Sequence, residues 1–233
     1  MKLLEGYFRH DIIKLLPADA TGLVGVELGV AQGVFSSRMA QSGRFGWFFG
    51  VDMYADQHDT SEYKQALRAV GLYSNYKLLR MTFDEALDLF DDLSLDFVYV
   101  DGYAHSGEEG GDTIYKWFRK VKVGGVIAGD DYHREKWPLV VAAVDQFVRD
   151  TNLELFITDR VETEAFSRYP SWGVVKTADV SISAPEEMVR RGKRLGRMAD
   201  ARRARIIRWR SLTQAWLPRP ILRLVNRLRG LAR

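Results

Sequence analysis

The sequence contains no cysteine among its 233 residues. That absence excludes disulfides, thiolate metal sites and cysteine nucleophiles, and it is compatible with a reducing cytosol. No apolar run approaches the roughly 20 residues that a membrane span needs. Acids and a histidine interrupt the N-terminal stretch MKLLEGYFRHDIIKLL, so it is not a secretory signal. We therefore expect a cytoplasmic protein.

Basic residues are outnumbered by acids in most of the chain and are concentrated at its end. Residues 186–233 hold 15 Arg and Lys against 3 acids, a net charge of +12, whereas the rest holds 19 basic against 28 acidic residues, or −9. The length suits one substantial α/β domain with an appendage. We place the domain limit after Pro185, which gives a domain at residues 1–185 and a basic helical extension at residues 186–233.

Short apolar runs alternate with amphipathic stretches between residues 22 and 176. Near-continuous Val, Ile and Phe runs indicate strands buried on both faces, as parallel sheets require. The alternation predicts right-handed βαβ crossovers and an α/β fold that is Rossmann-like and doubly wound, with a mostly parallel sheet of seven strands and helices on both faces. The last two strands lack a helix between them and are predicted to be antiparallel. The predicted strands are 22–28, 44–52, 76–80, 95–101, 124–130, 153–158 and 171–176.

Acids follow three of these strands at their carboxyl ends: Asp52, Asp101, and the adjacent pair Asp130 and Asp131. In doubly wound sheets, ligands bind outside the carboxyl ends of the strands. Four carboxylates at one edge repel one another unless a cation or a donor-rich ligand lies between them. The pattern therefore predicts a binding site at this edge.

The first strand ends in the motif VELGVAQG, in which Glu27 is followed by Gly29 and Gly33. The glycines allow a tight loop that opens a helix, and the helix amino end offers free N–H groups. The dinucleotide pattern G-x-G-x-x-G is absent, and an acid at position 27 would repel pyrophosphate. A zwitterionic adenosyl ligand suits the motif better, with Asp52 accepting the ribose hydroxyls. The alternative is a tight turn without a ligand.

Five segments together resemble a known enzyme family: VELGVAQG, FFGVD, RMTFDEAL, LDFVYVDG and WFRKVKVGGVIAGDDYH. Across residues 22–176 the chain resembles class I S-adenosylmethionine-dependent methyltransferases, in the branch of macrolide sugar O-methyltransferases and related bacterial small-molecule methyltransferases. The resemblance implies S-adenosylmethionine as cofactor. Its binding residues would be Glu27, Gly29 and Gly33 at the methionine moiety, Asp52 at the ribose, Thr82 and Phe83 at the adenine, and Asp101.

The resemblance also implies a magnesium site at Asp101, Asp130 and Asp131, because metal-dependent members carry acids at these strand ends. The ion would orient a hydroxyl of a sugar or other small molecule for O-methylation. Asp101, His105 and His133 are the candidate catalytic residues. Three alternatives stay open: a metal-independent methyltransferase with a histidine base, a non-catalytic adenosyl-binding protein, and hydride transfer, which the missing Gly-x-Gly disfavours.

The basic extension predicts two helices, 186–212 and 220–233. In the second, an apolar stripe runs from Ile221 to Leu231, flanked by arginines. This profile is typical of a helix on an anionic membrane surface, which would make the protein peripheral at the inner face of the membrane. Packing against the domain or a second subunit in a homo-oligomer is the alternative. Nucleic acid ranks last because no known binding motif is present.

Overall fold

The computed structural model describes residues 1–55, 60–102, 110–162 and 168–216. The chain divides into two compact units, Met1–Lys193 and Arg194–Arg233. The last helix of the described residues begins at Glu186, the first residue of the predicted extension.

The first unit contains a mixed sheet of eight strands among the described residues, in the order β1-β7-β8-β6-β5-β2-β3-β4. Strand β8 runs antiparallel to β6 and β7, and the other neighbouring strands are parallel. The strands are β1 Lys2–Leu4, β2 Leu23–Leu28, β3 Phe45–Val51, β4 Tyr76–Leu79, β5 Leu95–Val100, β6 Val121–Gly129, β7 Leu155–Thr158 and β8 Trp172–Val175.

Strand β1 corrects the expected count of seven strands. It has three residues and pairs only with β7, at the edge of the sheet. A run this short contains too little alternation to be distinguished from a loop by its sequence.

A 3₁₀ helix at Arg9–Leu15 was not predicted, and it precedes six α-helices in the described residues. The predicted helix at 220–233, with its apolar stripe, lies outside those residues. Within the described part of the chain, no helix is both long and apolar enough to cross a membrane. The helices are α1 Val34–Gln41, α2 Thr60–Val70, α3 Phe83–Leu87, α4 Asp112–Lys120, α5 Pro138–Thr151 and α6 Glu186–Trp216.

Strand β5 shows why the core has two layers. Successive side chains of a strand point to opposite faces of the sheet. Val98 and Val100 belong to one buried cluster, which includes Trp117 of α4, whereas Phe97 and Tyr99 belong to the other. Helices therefore cover both faces.

The order of the strands reverses between β2 and β5. From β2 the chain continues to β3 and β4 on one side, and from β5 to β6 on the other. Such a switch leaves a crevice at the carboxyl ends of the two central strands. The acids that follow β3, β5 and β6 therefore surround one crevice.

Candidate functional site

Glu27 is buried at the end of β2, with 1% of its surface exposed. The Ser36 hydroxyl, on α1, donates a hydrogen bond to its carboxylate, and the Ser36 and Tyr76 hydroxyl oxygens lie 2.8 Å apart. Burial raises the pKa of Glu27 well above its ordinary value, because water no longer stabilises the charged form. Ser36 and Tyr76 were not identified from the sequence.

Gly29 brings the loop after β2 into contact with the end of β5. Its φ is +95°, and a Cβ atom there would lie 1.5 Å from the backbone oxygen of Asp101. The Asp101 N–H donates to the Leu28 carbonyl at 2.7 Å, which fixes this approach. Gly33, with φ +81°, precedes α1 and packs against Ala66 of α2. Both predicted glycines are therefore required by the backbone.

Asp52 is buried after β3 and holds the same loop. Its Oδ2 accepts the N–H groups of Val30 at 3.0 Å and Ala31 at 3.1 Å, and its Oδ1 accepts the Tyr54 N–H at 2.9 Å. A carboxylate offers about four acceptor positions. Three backbone donors therefore orient the group and leave roughly one position, on Oδ1, for a ligand.

Thr82 and Phe83 lie at the start of α3. The Thr82 hydroxyl accepts the Glu85 N–H at 3.2 Å, and Glu85 accepts from the Thr82 N–H at 2.8 Å, which is a capping box. The sequence pattern Thr-x-x-Glu is typical of such a cap. Phe83 is buried, and a Cβ on Gly102 would lie 3.1 Å from its ring. The structure thus places Phe83 beside the end of β5.

Arg9 is the principal site residue that the sequence did not identify. Its Nη2 lies 2.5 Å from Asp101 Oδ2, and its Nη1 lies 3.3 Å from Asp130 Oδ2. The guanidinium carbon lies 5.0 Å from the ring centre of Phe35 and 5.2 Å from that of Tyr99. The only sequence signal was an arginine among apolar residues in the N-terminal stretch.

Asp130 is the most enclosed of the three acids predicted for the metal site. Its side chain is 4% exposed, and its Oδ1 accepts the Ser171 hydroxyl at 3.1 Å. Burial raises the pKa of Asp130 to about 7, although the Arg9 guanidinium acts in the opposite direction. Burial would lower the pKa of Arg9, but Tyr99 and the two carboxylates raise it well above its ordinary value. Among Arg9, Asp101 and Asp130, Arg9 is therefore the residue that always carries its charge.

Asp131 and His133 belong to the turn after β6. Asp131 has a φ of +60°, in the left-handed region, and its carbonyl accepts the His133 N–H at 2.8 Å. His133 Nδ1 accepts the Lys136 N–H at 3.3 Å, and its ring packs edge-on against Tyr169 at 5.1 Å. His105, the other predicted base, lies outside the described residues.

The described residues do not fit the magnesium site predicted from the resemblance. Among them, no three carboxylate or imidazole side chains lie together as a group that could hold a metal ion. The Arg9 guanidinium contacts Asp101 and Asp130 where the ion was expected. Since Mg²⁺ requires oxygen ligands at about 2.1 Å, it would need the space of the Arg9 nitrogens.

The central part of this unit matches a known family. Residues 26–132 match a family model described as a methyltransferase domain, and they include Glu27, Asp52, Asp101 and Asp130. No curated protein matches the chain.

Solved structures share the fold at low identity. A protein of Corynebacterium glutamicum gives a TM-score of 0.52 at 10% identity, over 74% of this chain and 82% of that one. Precorrin 8W decarboxylase of Methanobacterium thermoautotrophicum gives a TM-score of 0.51 at 22% identity, over 71% of this chain and 87% of that one. A SAM-dependent O-methyltransferase of Thermotoga maritima gives a TM-score of 0.52 at 12% identity, over 74% of this chain and 64% of that one.

The family match and the fold lead to the same class. The chain has an α/β Rossmann-like methyltransferase fold, and residues 26–132 within it match the methyltransferase-domain model. The macrolide sugar branch stays a prediction.

Proposed function

We propose that this chain transfers the methyl group of S-adenosylmethionine to a hydroxyl of a small molecule, such as a sugar. The observation that supports it best is the meeting of the loop at residues 29–33 with Asp52 and Asp101 at one crevice. In support of the proposal, this arrangement brings together a candidate ribose acceptor, a close backbone approach and a neighbouring acidic edge.

The cofactor takes the side of the crevice formed by β2 and β3. Asp52 accepts a ribose hydroxyl through the remaining position of Oδ1, and further contacts require the Val30 and Ala31 amides to shift. Glu27 faces the methionine moiety, where a buried carboxyl group suits a zwitterion better than a phosphate. Phe83 borders the adenine.

The acceptor takes the side formed by β5 and β6. A hydroxyl loses its proton as it attacks the sulfonium methyl, so a base must lie within hydrogen-bond reach. Asp130, at the end of β6, and His133, in the next turn, are the described candidates. The O-methyltransferase of Thermotoga maritima supports oxygen as the acceptor atom through its shared fold.

Calorimetry and product analysis test this function in sequence. The chain is first titrated with S-adenosylhomocysteine, and binding of one molecule per chain is expected. It is then incubated with S-adenosylmethionine and a panel of sugars, polyols, phenols and amines. Methylated hydroxyl products confirm the proposal, whereas absence of binding or methylation of amines alone contradicts it.

The basic extension carries a second part of the proposal. The net charge of +12 on residues 186–233 and the apolar stripe of residues 221–231 favour contact with an anionic membrane surface on the cytoplasmic side. This contact would bring the enzyme to an acceptor at that surface.

A further inference from the structure

Arg9 is fixed by the backbone that carries it. The 3₁₀ helix at Arg9–Leu15 begins with a capping interaction, in which Asp11 Oδ2 accepts the Phe8 N–H at 2.9 Å. Ile12 is fully buried, and its side chain lies against Gly173 of β8, where a Cβ would come within 2.8 Å. The guanidinium therefore reaches the site from an anchored helix.

The surroundings of the guanidinium are suited to an arginine. Phe35 and Tyr99 present their rings to it, and their ring centres lie 4.1 Å apart. Planar guanidinium groups stack on aromatic rings and bind carboxylates through directed N–H groups, whereas a hydrated metal ion prefers oxygen ligands. The aromatic side chains around this site therefore favour a guanidinium over a hydrated metal ion.

Both carboxylate oxygens of Asp130 have a partner in the same arrangement. Its Oδ2 binds Arg9 and its Oδ1 accepts from Ser171, whose oxygen also lies 2.8 Å from the Tyr99 hydroxyl. A divalent ion would have to displace the guanidinium from both Asp101 and Asp130. A buried carboxylate and a partly buried one would repel each other without a cation, so some cation is needed here.

We propose that Arg9 is the permanent cation of this site, that it takes the place of a divalent metal between Asp101 and Asp130, and that the site therefore binds no metal. This inference concerns the acceptor side of the proposed methyltransferase and rests on that function for its role in transfer. Arg9 is a positioning residue: it holds the two carboxylates at the ends of β5 and β6.

Binding of Mn²⁺ tests the proposal without a known acceptor. Electron paramagnetic resonance measures free Mn²⁺ in solutions of the wild type, Arg9→Gln and Lys14→Gln. Lys14 lies on the same 3₁₀ helix with a side chain 58% exposed, so its variant controls for loss of one positive charge. Wild type and Lys14→Gln should bind no Mn²⁺ at about 1 mM, the weak end of protein sites for divalent ions.

Arg9→Gln should bind one Mn²⁺ per chain, roughly tenfold or more tightly than the wild type, because two carboxylates lose their cation. The double variant Arg9→Gln with Asp130→Asn should lose that site. One Mn²⁺ bound by the wild type and lost in Asp130→Asn overturns the proposal. It is also overturned if neither the wild type nor a folded Arg9→Gln chain binds Mn²⁺, because Arg9 then does not exclude the ion.

If Arg9→Gln does not fold, nuclear magnetic resonance of the wild type decides. A guanidinium that bridges two carboxylates should give slowly exchanging Arg9 side-chain N–H signals, and these should shift in Asp130→Asn. Unchanged signals contradict the proposal. Titration of the wild type with S-adenosylhomocysteine separates the two claims: failure to bind rejects the proposed function, whereas the Mn²⁺ result alone decides the role of Arg9.

Discussion

The hydroxyl of Ser171, the residue before β8, donates a hydrogen bond to Asp130 Oδ1 at 3.1 Å and joins the start of the antiparallel strand to the acid that follows β6. Both residues are buried. The same hydroxyl oxygen lies 2.8 Å from that of Tyr99. One serine therefore binds the oxygen of Asp130 that Arg9 does not contact.

Ser171→Ala should lower the free energy of unfolding by about 1–3 kcal/mol, because it leaves a buried carboxylate short of a donor. Urea denaturation measures the change. Ser181→Ala, at an exposed position, should change it by less than about 0.5 kcal/mol. Equal effects of the two variants would contradict the assigned role of Ser171.

Asp52→Ala should weaken binding of S-adenosylmethionine by about 1.5–3 kcal/mol, the scale of hydrogen bonds to charged groups. Calorimetry gives the affinity, and circular dichroism establishes that the fold is intact. Asp84→Ala, which removes an acid with 71% side-chain exposure, serves as the control. Unchanged affinity in a folded Asp52→Ala chain would remove Asp52 from the cofactor site.

Gly29→Ala and Gly43→Ala form a matched pair. Both glycines have positive φ, but a Cβ at Gly43 meets nothing within 4 Å, whereas one at Gly29 lies 1.5 Å from the Asp101 oxygen. Gly43→Ala should destabilise the chain by about 1–2 kcal/mol through backbone strain alone. The Gly29→Ala chain should be destabilised by more than the Gly43→Ala chain and should lose most of its affinity for the cofactor. Similar losses in both would show that the close approach is unimportant.

Glu27→Gln should alter how stability depends on pH. Because burial raises the pKa of Glu27 above 4.5, the folded chain retains its proton at pH values where the unfolded chain has lost it. Stability therefore falls as the pH rises above 4.5, by at most about 1.4 kcal/mol per pH unit. The glutamine cannot titrate, so the variant should gain stability relative to the wild type between pH 5 and 8.

Urea denaturation of the ligand-free chains at several pH values measures this difference. If the free energies of unfolding of Glu27→Gln and the wild type differ by the same amount at every pH in that range, the pKa of Glu27 is not raised by burial.

The membrane proposal predicts sedimentation with vesicles that contain phosphatidylglycerol and not with neutral vesicles. Each arginine near an anionic bilayer contributes about 1 kcal/mol. Replacing Arg223, Arg227 and Arg229 with Gln should therefore weaken binding by about a hundredfold, and added salt should do the same. A chain that stays in the supernatant with both lipids would contradict the proposal.

Truncation tests of the same segment should end at Lys193. Met188 packs against the core of the first unit, and a Cβ on Gly110 would lie 2.4 Å from the Met188 carbonyl. Residues up to Lys193 therefore belong to that unit. A chain of residues 1–193 should retain cofactor affinity and lose vesicle binding.

The sequence by itself determined the features that depend on neighbouring residues. Apolar runs located seven of the eight strands in the described residues, because a strand buried on both faces needs such a run. The spacing of Gly29 and Gly33 marked the loop after β2, and the acids after β3, β5 and β6 followed from where strands end. The carboxyl ends of parallel strands meet at one edge, so these acids were expected to surround one site.

Only the tertiary structure decided which cation lies between the acids. Arg9 and Asp101 are 92 residues apart, and no local pattern shows which arginine becomes buried or which carboxylates it meets. Three acids at strand ends are compatible with either a metal ion or a guanidinium. The packing of the 3₁₀ helix on β8 places the guanidinium between Asp101 and Asp130, because Arg9 and Ile12, three residues apart, share one side of that helix and are both buried.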